Sequence, residues 1–405
     1  MAKNRDTGRG GPGVRGPING CIVSLVGSGR ATTRIALARA LGLTPSTISF
    51  HVNQLLAENV LFDAEVGTEV YNKAGRGRPA RRLRLTGDGS ATLTMDLGAD
   101  QARLALLSVL GEVMAQEMVE LDLTDPPQAI LSMLAERAEA LIAKADSNCT
   151  VRAIGVAVPG PVDITTGTVV LSTRMPGWAG FAVRNWLEQR FDVPVAVEND
   201  SNAMAYGEYL SRPNGRSSTV TVKADSSLGA GIILGGRVHR GASYGAGEIT
   251  HVRIPQGGER PCVCGNVGCL ETVASGQALV AALQELGIEV STTEDVVALA
   301  QAGQPEVNSV ARAAGTALGQ VLCTVTNVIN PQAIYLGGAL ATIEPFVAAV
   351  RSQIYQGSHP ITTQNLMIER ARSGKDGVLL GMSHLAFEAG WDRASASDEI
   401  MNDDD

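Results

Sequence analysis

The chain has 405 residues, enough for two or three domains, and its 44% hydrophobic but only 4% aromatic content means cores built from Ala, Val, Leu and Ile. Its 46 Gly and 17 Pro follow no G-X-Y period, which excludes collagen, and no apolar run reaches the roughly 18 residues of a membrane span. The net charge of −8 is unevenly spread: residues 1–87 carry 13 Lys and Arg against 5 Asp and Glu, the remainder 20 against 36, so the head is suited to a polyanion and the body is not.

Residues 1–17, MAKNRDTGRGGPGVRGP, are basic and glycine-rich with nothing to bury, and read as a disordered tail and not a secretory signal. A helical pattern opens at Ile18 and continues through Ile22, Val23, Leu25 and Val26. A second helix is predicted over 33–41. Thr44 suits an N-cap and Pro45 the first position of a third helix reaching about residue 58, with Ile48, Val52, Leu55 and Leu56 inward. Short strands are predicted over 60–62 and 69–71, a Gly/Arg hairpin tip over 72–82, a last strand through Leu83 and Leu85, and a linker over 87–92.

A helix-turn-helix needs a small residue where its helices touch, a turn residue free to adopt positive φ, and an aliphatic residue facing back; Ala38, Gly42 and Ile48 meet these needs. The second helix then offers Thr44, Ser46, Thr47, Ser49, Phe50 and Asn53 to a major groove. Arg76, Arg78, Arg81 and Arg82 form a wing able to enter a minor groove or neutralise phosphates. Residues 18–86 are therefore expected to be a winged helix-turn-helix DNA-binding domain; the plainer alternative is a three-helix packing module with an exposed basic loop.

From about residue 91 to 390 strand and helix alternate: a hairpin over 92–97 and 103–109, a helix over 127–145, and a buried strand over 152–158 ending in Pro159-Gly160-Pro161. A helix over 181–190, a strand over 193–197, a helix from 203, and strands over 218–223 and 230–234 follow. Helices over 272–286, 294–303 and 308–329 lead to a strand over 333–336 before Gly337-Gly338. This is the pattern of a layered α/β body. Residues 391–405 form an acidic tail.

Cys262, Cys264 and Cys269 fall within eight residues and follow Glu248-Ile249-Thr250-His251. Three thiolates and one imidazole make a complete tetrahedral zinc set with no open position, so a zinc here is structural. Gly265 and Gly268 permit the tight backbone between ligands. The alternative is three reduced, buried thiols.

A CxCGxxGCxE knuckle after E-x-x-H resembles the ROK family (repressors, uncharacterised reading frames and sugar kinases), and the resemblance covers about residues 18–390. It implies a two-lobed, actin-like (ribonuclease H-like) sugar-kinase fold over 93–390 with sugar bound between the lobes, preceded in the repressor branch by a winged helix. The segment Glu198-Asn199-Asp200-Ser201-Asn202-Ala203 is similar to the family's Glu-Asn-Asp motif. By that resemblance Asp200 stands at the place of the general base and Asn199 holds neighbouring hydroxyls, tasks suited to a carboxylate and an amide. Gly160, Glu248, His251 and Glu271 are the other implied sugar contacts. His251 would also bind zinc, so the metal would orient the sugar site. Thr250 stands where the family usually has Gly, which alters the pocket.

Two phosphate loops depart from the family. Its Asp-x-Gly-x-Thr turn reads Asp96-Leu97-Gly98-Ala99-Asp100, and its Gly-Thr-Gly-x-Gly loop reads Asp225-Ser226-Ser227-Leu228-Gly229. Like charges about 4 Å apart repel by roughly 4 kcal/mol at an effective dielectric near 20. Millimolar to micromolar nucleotide binding is worth only roughly 4–8 kcal/mol. No ATP is therefore expected and Asp200 is a vestigial base; Gly337-Gly338 resembles the family's adenosine-side turn, the alternative being a plain strand-to-helix turn. The expectation is a transcriptional regulator, a repressor by the family's usual direction, acting on carbohydrate metabolism and sensing a monosaccharide or sugar phosphate. It would bind operator DNA as a homodimer or homotetramer, in the cytoplasm at the nucleoid, with no membrane partner. The alternatives are an active ATP-dependent sugar kinase that also binds DNA, and a DNA-binding scaffold for a phosphotransfer protein.

Overall fold

The computed structural model describes residues 18–27, 29–57, 60–64, 82–86, 90–145, 149–170, 174–212 and 216–401. The chain divides into two units, Met1–Asp88 with Phe387–Asp405, and Gly89–Ala386.

In the first unit α1 (Ile18–Gly27), α2 (Arg34–Leu41) and α3 (Pro45–Ala57) enclose Ile22, Leu37, Ile48, Val52 and Leu55, none of which meets solvent. Local chemistry sets the boundaries. The Thr33 hydroxyl accepts the Ala36 N–H at 3.2 Å, and Gly42 ends α2 at φ 66°. Thr44 Oγ1 accepts the Thr47 N–H at 3.2 Å, with Pro45 at the first helical position of α3. Strands β1 (Leu61–Ala64) and β2 (Arg82–Leu85) pair antiparallel, Leu61 opposite Leu85. The expected tail over 1–17, the strand over 69–71 and the hairpin tip short of Arg82 lie outside the described residues.

In the second unit β3 (Ser90–Leu97), β4 (Gln101–Ser108) and β5 (Val113–Glu120) form an antiparallel meander. Helix α4 (Pro127–Lys144) leads to β6 (Thr150–Val158), parallel to β3. The ribbon β7 (Val162–Asp163) and β8 (Thr168–Val169) and the helix α5 (Val183–Phe191) lead to β9 (Val195–Asn199), parallel to β6. Helix α6 (Asp200–Leu210) follows with no loop. A second meander, β10 (Thr219–Ala224), β11 (Leu228–Leu234) and β12 (Arg237–Val238), comes next. Helices α7 (Glu271–Ala274), α8 (Gly276–Glu285), α9 (Thr293–Gln301) and α10 (Pro305–Ile329) precede β13 (Ala333–Gly337), parallel to β10. Helices α11 (Glu344–Gly357) and α12 (Pro360–Thr363) precede β14 (Met367–Arg370), parallel to β13, and α13 (Gly377–Met401) ends the order.

The two sheets, β5-β4-β3-β6-β9 and β12-β11-β10-β13-β14, repeat one wiring: a three-strand meander whose first strand then accepts two parallel strands. This is the expected two-lobed, ribonuclease H-like plan. Each lobe has its own core, one around Leu93, Met95, Ile154, Val156 and Trp178, the other around Val220, Val222, Leu318, Ile334 and Phe346. Strands β6 and β13 read as nearly unbroken apolar runs because both faces are covered. Among the described residues no helix is long and apolar enough to cross a membrane.

Several boundaries differ from expectation. Strand β3 begins at Ser90, inside the expected linker, because Ser90 and Ala91 pair with Thr150 and Val151. Helix α6 begins at Asp200 and not at 203, because Asn199 Oδ1 accepts the N–H groups of Ser201 and Asn202 at 3.0 and 3.1 Å. Helix α13 continues to Met401, through residues read as tail. Helix α6 lies close on β11 because Gly231 has no side chain: a Cβ there would stand 2.4 Å from the Ser201 carbonyl oxygen and 2.5 Å from Ala205 Cβ. Gly231→Val should therefore lower stability by about 1–3 kcal/mol, read as a reduced urea midpoint, while Gly245→Ala, whose Cβ would meet nothing closer than Glu248 Cγ at 3.9 Å, should leave the packing undisturbed.

Candidate functional site

Strand β9 passes straight into α6, and α6 packs on β10 and β11 of the other sheet, so Asn199 and Asp200 stand where the two lobes meet. A cleft of about 270 Å³ opens there, lined by Gly160, Asn199, Asp200, Glu248 and His251, all expected, and by Arg174, Tyr244 and Thr250. Its size lies just below the roughly 300–1,000 Å³ of ordinary ligand pockets, which suits a small ligand. Asn199 divides its amide: the oxygen caps α6, and Nδ2 donates to the Gly160 carbonyl at 3.3 Å. Asp200 is buried. Its Oδ1 accepts the Ser201 N–H and hydroxyl at 2.6 and 3.0 Å, and its Oδ2 pairs with Lys223 Nζ at 2.6 Å. Beneath them, buried Glu198 accepts from the Asn202 amide at 3.0 Å and pairs with Arg240 at 2.6 Å. At the rim Tyr244, held at φ 63°, donates to Asp163 Oδ1 at 2.7 Å.

Glu271 is buried directly behind Thr250, Arg174 and Leu228, three residues that line the cleft. Its Oε2 accepts the Thr250 hydroxyl at 2.6 Å and the Leu228 N–H at 3.0 Å, and its Oε1 pairs with Arg174. Thr250, in place of the family's Gly, thus occupies one of the carboxylate's lone pairs. Arg174 and Thr250 reach the cleft, and Glu271 holds both in position.

The one-turn helix Ile249–His251 aims His251 Nδ1 at Cys262 Sγ, 3.5 Å away, and leaves Nε2 3.9 Å from Glu248 Oε2. Donor atoms of His251, Cys262, Cys264 and Cys269 all lie within 4.8 Å of one another. Cys264 and Cys269 sulfurs are 3.6 Å apart, close to the ~3.7 Å that two Zn–S bonds of about 2.3 Å subtend in a tetrahedron. Gly265 and Gly268 adopt φ 87° and 72°, the left-handed turns the spacing required. Burial holds His251 below its ordinary value, so its imidazole is neutral with a lone pair to give. Burial and the neighbouring thiols push Cys269 up to about 12, so a thiolate set requires a cation at its centre. The four residues fit a structural zinc. Held through Nδ1, His251 would keep Nε2–H for Glu248 and the cleft.

At the far end, Asp225 Oδ1 accepts the Ser226 N–H at 2.9 Å and Oδ2 the Ala339 N–H at 3.3 Å, just after Gly337-Gly338. Asp96 is pushed up to about 6, by burial first and by Asp200 and Asp225, against the pull of Lys223 and Arg103. Asp100 is exposed on the turn between β3 and β4. Of the two carboxylates singled out in the sequence, Asp225 is the one that lies against Gly337-Gly338.

On the first unit Ser46, Phe50 and Asn53 are exposed on the face of α3 opposite Ile48, Val52 and Leu55, with Thr47 and Ser49 half-exposed. Thr44, also exposed, shares its hydroxyl with Ser46 and Thr47, both at 2.8 Å, and Ser49 donates to the Pro45 carbonyl. Those bonds must open or be shared if these groups meet DNA. Arg34, unremarked in the sequence, lies 3.5 Å from Asn53 Oδ1 and pairs with Asp63 at 3.2 Å. Arg82 is exposed at the start of β2; Arg76, Arg78 and Arg81 lie outside the described residues.

The family model described as "ROK family" matches residues 92–389. The chain belongs to the ROK family. It is 26% identical over 376 residues to a xylose repressor of Caldicellulosiruptor bescii, covering 89% of this chain and 92% of the relative. Among solved structures it is similar to a ROK family transcriptional regulator, a homolog of the E. coli MLC protein, at TM-score 0.75 and 28% identity over 95% of this chain and 99% of the other. It is also similar to a ROK family glucokinase from Streptomyces griseus in complex with glucose and AMPPNP, at TM-score 0.61 and 27% identity over 73% of this chain and 99% of the other.

Within the ROK body, sequence reasoning missed Arg174, Glu198, Lys223 and Arg240. Glu198 had a signal in its motif. Lys223 had only a faint one, a charge in an otherwise apolar and hydroxyl-bearing strand, and Arg174 none.

Two predictions follow from the site chemistry. Purified protein should carry about one zinc per chain, and Cys269→Ser or chelation should lower its melting temperature and abolish that stoichiometry by metal analysis. Asp96 holds its proton more tightly folded than unfolded, so its contribution to stability is complete below 3.8 and lost as pH rises through about 6. Asp96→Asn should flatten that part of a melting-temperature profile between pH 4 and 7.

Proposed function

We propose that this chain is a DNA-binding transcriptional regulator whose ROK body senses a sugar and has lost kinase chemistry. The observation that carries the reading is the 2.6 Å ion pair between Asp200 and Lys223. It leaves an oxygen-rich wall able to bind hydroxyls but ties up the carboxylate that a kinase would use as base. A proton taken by Asp200 would deprive a half-buried ammonium of its nearest counter-charge, a costly exchange. Asp225 adds to this at the phosphate end, where its own oxygens take the backbone N–H groups of Ser226 and Ala339. The names of the relatives, a xylose repressor and a ROK transcriptional regulator, favour the same assignment, and the glucokinase complex with glucose favours a sugar as ligand.

In this reading Asn199, Asp200, Glu248, His251 and Arg174 bind the sugar's hydroxyls. His251, Cys262, Cys264 and Cys269 hold a structural zinc that fixes the His251 ring. The exposed face of α3 enters a major groove, and the Arg-rich segment ending at Arg82 contacts the backbone or minor groove. A homodimer or homotetramer places paired heads on a pseudo-palindromic operator at the nucleoid of the cytoplasm. Sugar acts by binding the DNA-competent and DNA-incompetent states unequally, releasing a repressor.

Operator selection from genomic fragments, followed by anisotropy titrations, tests the head. Asn53→Ala and Phe50→Ala should each weaken specific binding by about 1–3 kcal/mol, and Arg82→Ala should lower the salt slope by about one. No DNA affinity at low salt would end this reading. The similarity to a glucokinase supports the competing one, an active sugar kinase that also binds DNA. With glucose, xylose or N-acetylglucosamine and ATP the protein should release no ADP above background. Turnover abolished by Asp200→Asn would establish the kinase instead.

A further inference from the structure

Strand β10 alternates cleanly. Val220, Val222 and Ala224 enter the core of the second lobe, while Thr219, Thr221 and Lys223 take the opposite face, toward α6. Lys223 therefore reaches Asp200 at the first turn of α6, and its ammonium is the partner of that carboxylate. Its surroundings are lopsided. Asp200, Asp96 and Asp225 all act on Lys223; burial alone would push the ammonium down, and these carboxylates overcome it and hold it above its ordinary value. Arg103, a cation that also acts on Asp96, is itself paired with Asp376 at 2.5 Å. One ammonium thus answers three carboxylates, of which Asp200 lines the cleft, and the surplus around that wall is negative.

This balance discriminates between two kinds of sugar. A neutral sugar hydroxyl needs only an acceptor, and Asp200 Oδ2, fixed by Lys223, keeps a lone pair for it. A phosphate ester brings further negative charge to an end already in surplus. Lys223 could serve that phosphate only by leaving Asp200, which would strand a buried carboxylate. The backbone donors of Ser226 and Ala339, a second possible phosphate cradle, are occupied by Asp225.

We propose that Lys223 is a specificity-determining positioning residue that restricts the effector of this cleft to an uncharged monosaccharide. The inference rests on the sugar-sensing function proposed above. Its test is calorimetry on the full-length protein with glucose, xylose and N-acetylglucosamine, each against its terminal phosphate ester. At least one neutral sugar should bind, with its phosphate ester weaker by about 30-fold or more. Lys223→Met should weaken the neutral sugar by about tenfold, and Lys223→Arg, which restores the cation, should stay within about threefold of the parent. A phosphate ester that binds as tightly as its neutral parent overturns the inference and leaves sugar sensing intact. So does a neutral sugar whose affinity is unchanged in Lys223→Met. Silence from every sugar, neutral and phosphorylated, in protein that still binds DNA overturns sugar sensing itself and the inference with it. If Lys223→Met fails to fold, the comparison on the parent protein decides alone.

Discussion

The joint between β9 and α6 is the constraint on which the effector unit depends. Asn199 ends a strand of one sheet and caps a helix that packs on the other, so a single side chain converts the edge of one lobe into the floor of both. Because no loop intervenes, Asp200 has no freedom to drift. Close packing of α6 at Gly231 and the Glu198–Arg240 pair stiffen the same joint from behind. The position of the cleft follows from that geometry, and so does the meeting of Asp200 with a lysine from a strand of the second sheet.

The chemistry of the cleft is best described as self-satisfaction. Asp225 occupies backbone donors, Lys223 occupies Asp200, and Thr250 with Arg174 occupies Glu271. Each group that a transfer reaction would require to change partners already has one from within the chain. Rate acceleration needs groups that bind the transition state better than the ground state; a cleft whose groups are already held by partners within the chain suits the recognition at equilibrium proposed above.

What was legible in the sequence was local. Gly42, Thr44 and Pro45 announce helix ends because caps act within four residues, and the candidate metal cluster is legible because three of its residues lie in one short loop. The Glu-Asn-Asp segment was legible for the same reason. The duplicated wiring of the two sheets was not, because it is a property of strand order and the halves share no repeated motif. Strand β5 was missed because Met114 and Met118 place apolar side chains on its exposed face and blur the alternation. Glu271 was assigned to the cleft from its motif, yet its direction depends on Thr250 and Arg174, distant in sequence. Lys223 was overlooked because a single charge in a strand acquires meaning only from what another lobe brings beside it.

One ring serves two masters in this fold: His251 gives Nδ1 to the cysteine knuckle and faces Glu248 with Nε2. That wall of the cleft is thereby tied to the cysteine cluster and has little latitude to be re-sculpted. Divergence of ligand preference among descendants of such a chain is channelled to lining residues outside the cluster, such as those at 174 and 244, where a new side chain can be tried without dismantling the knuckle.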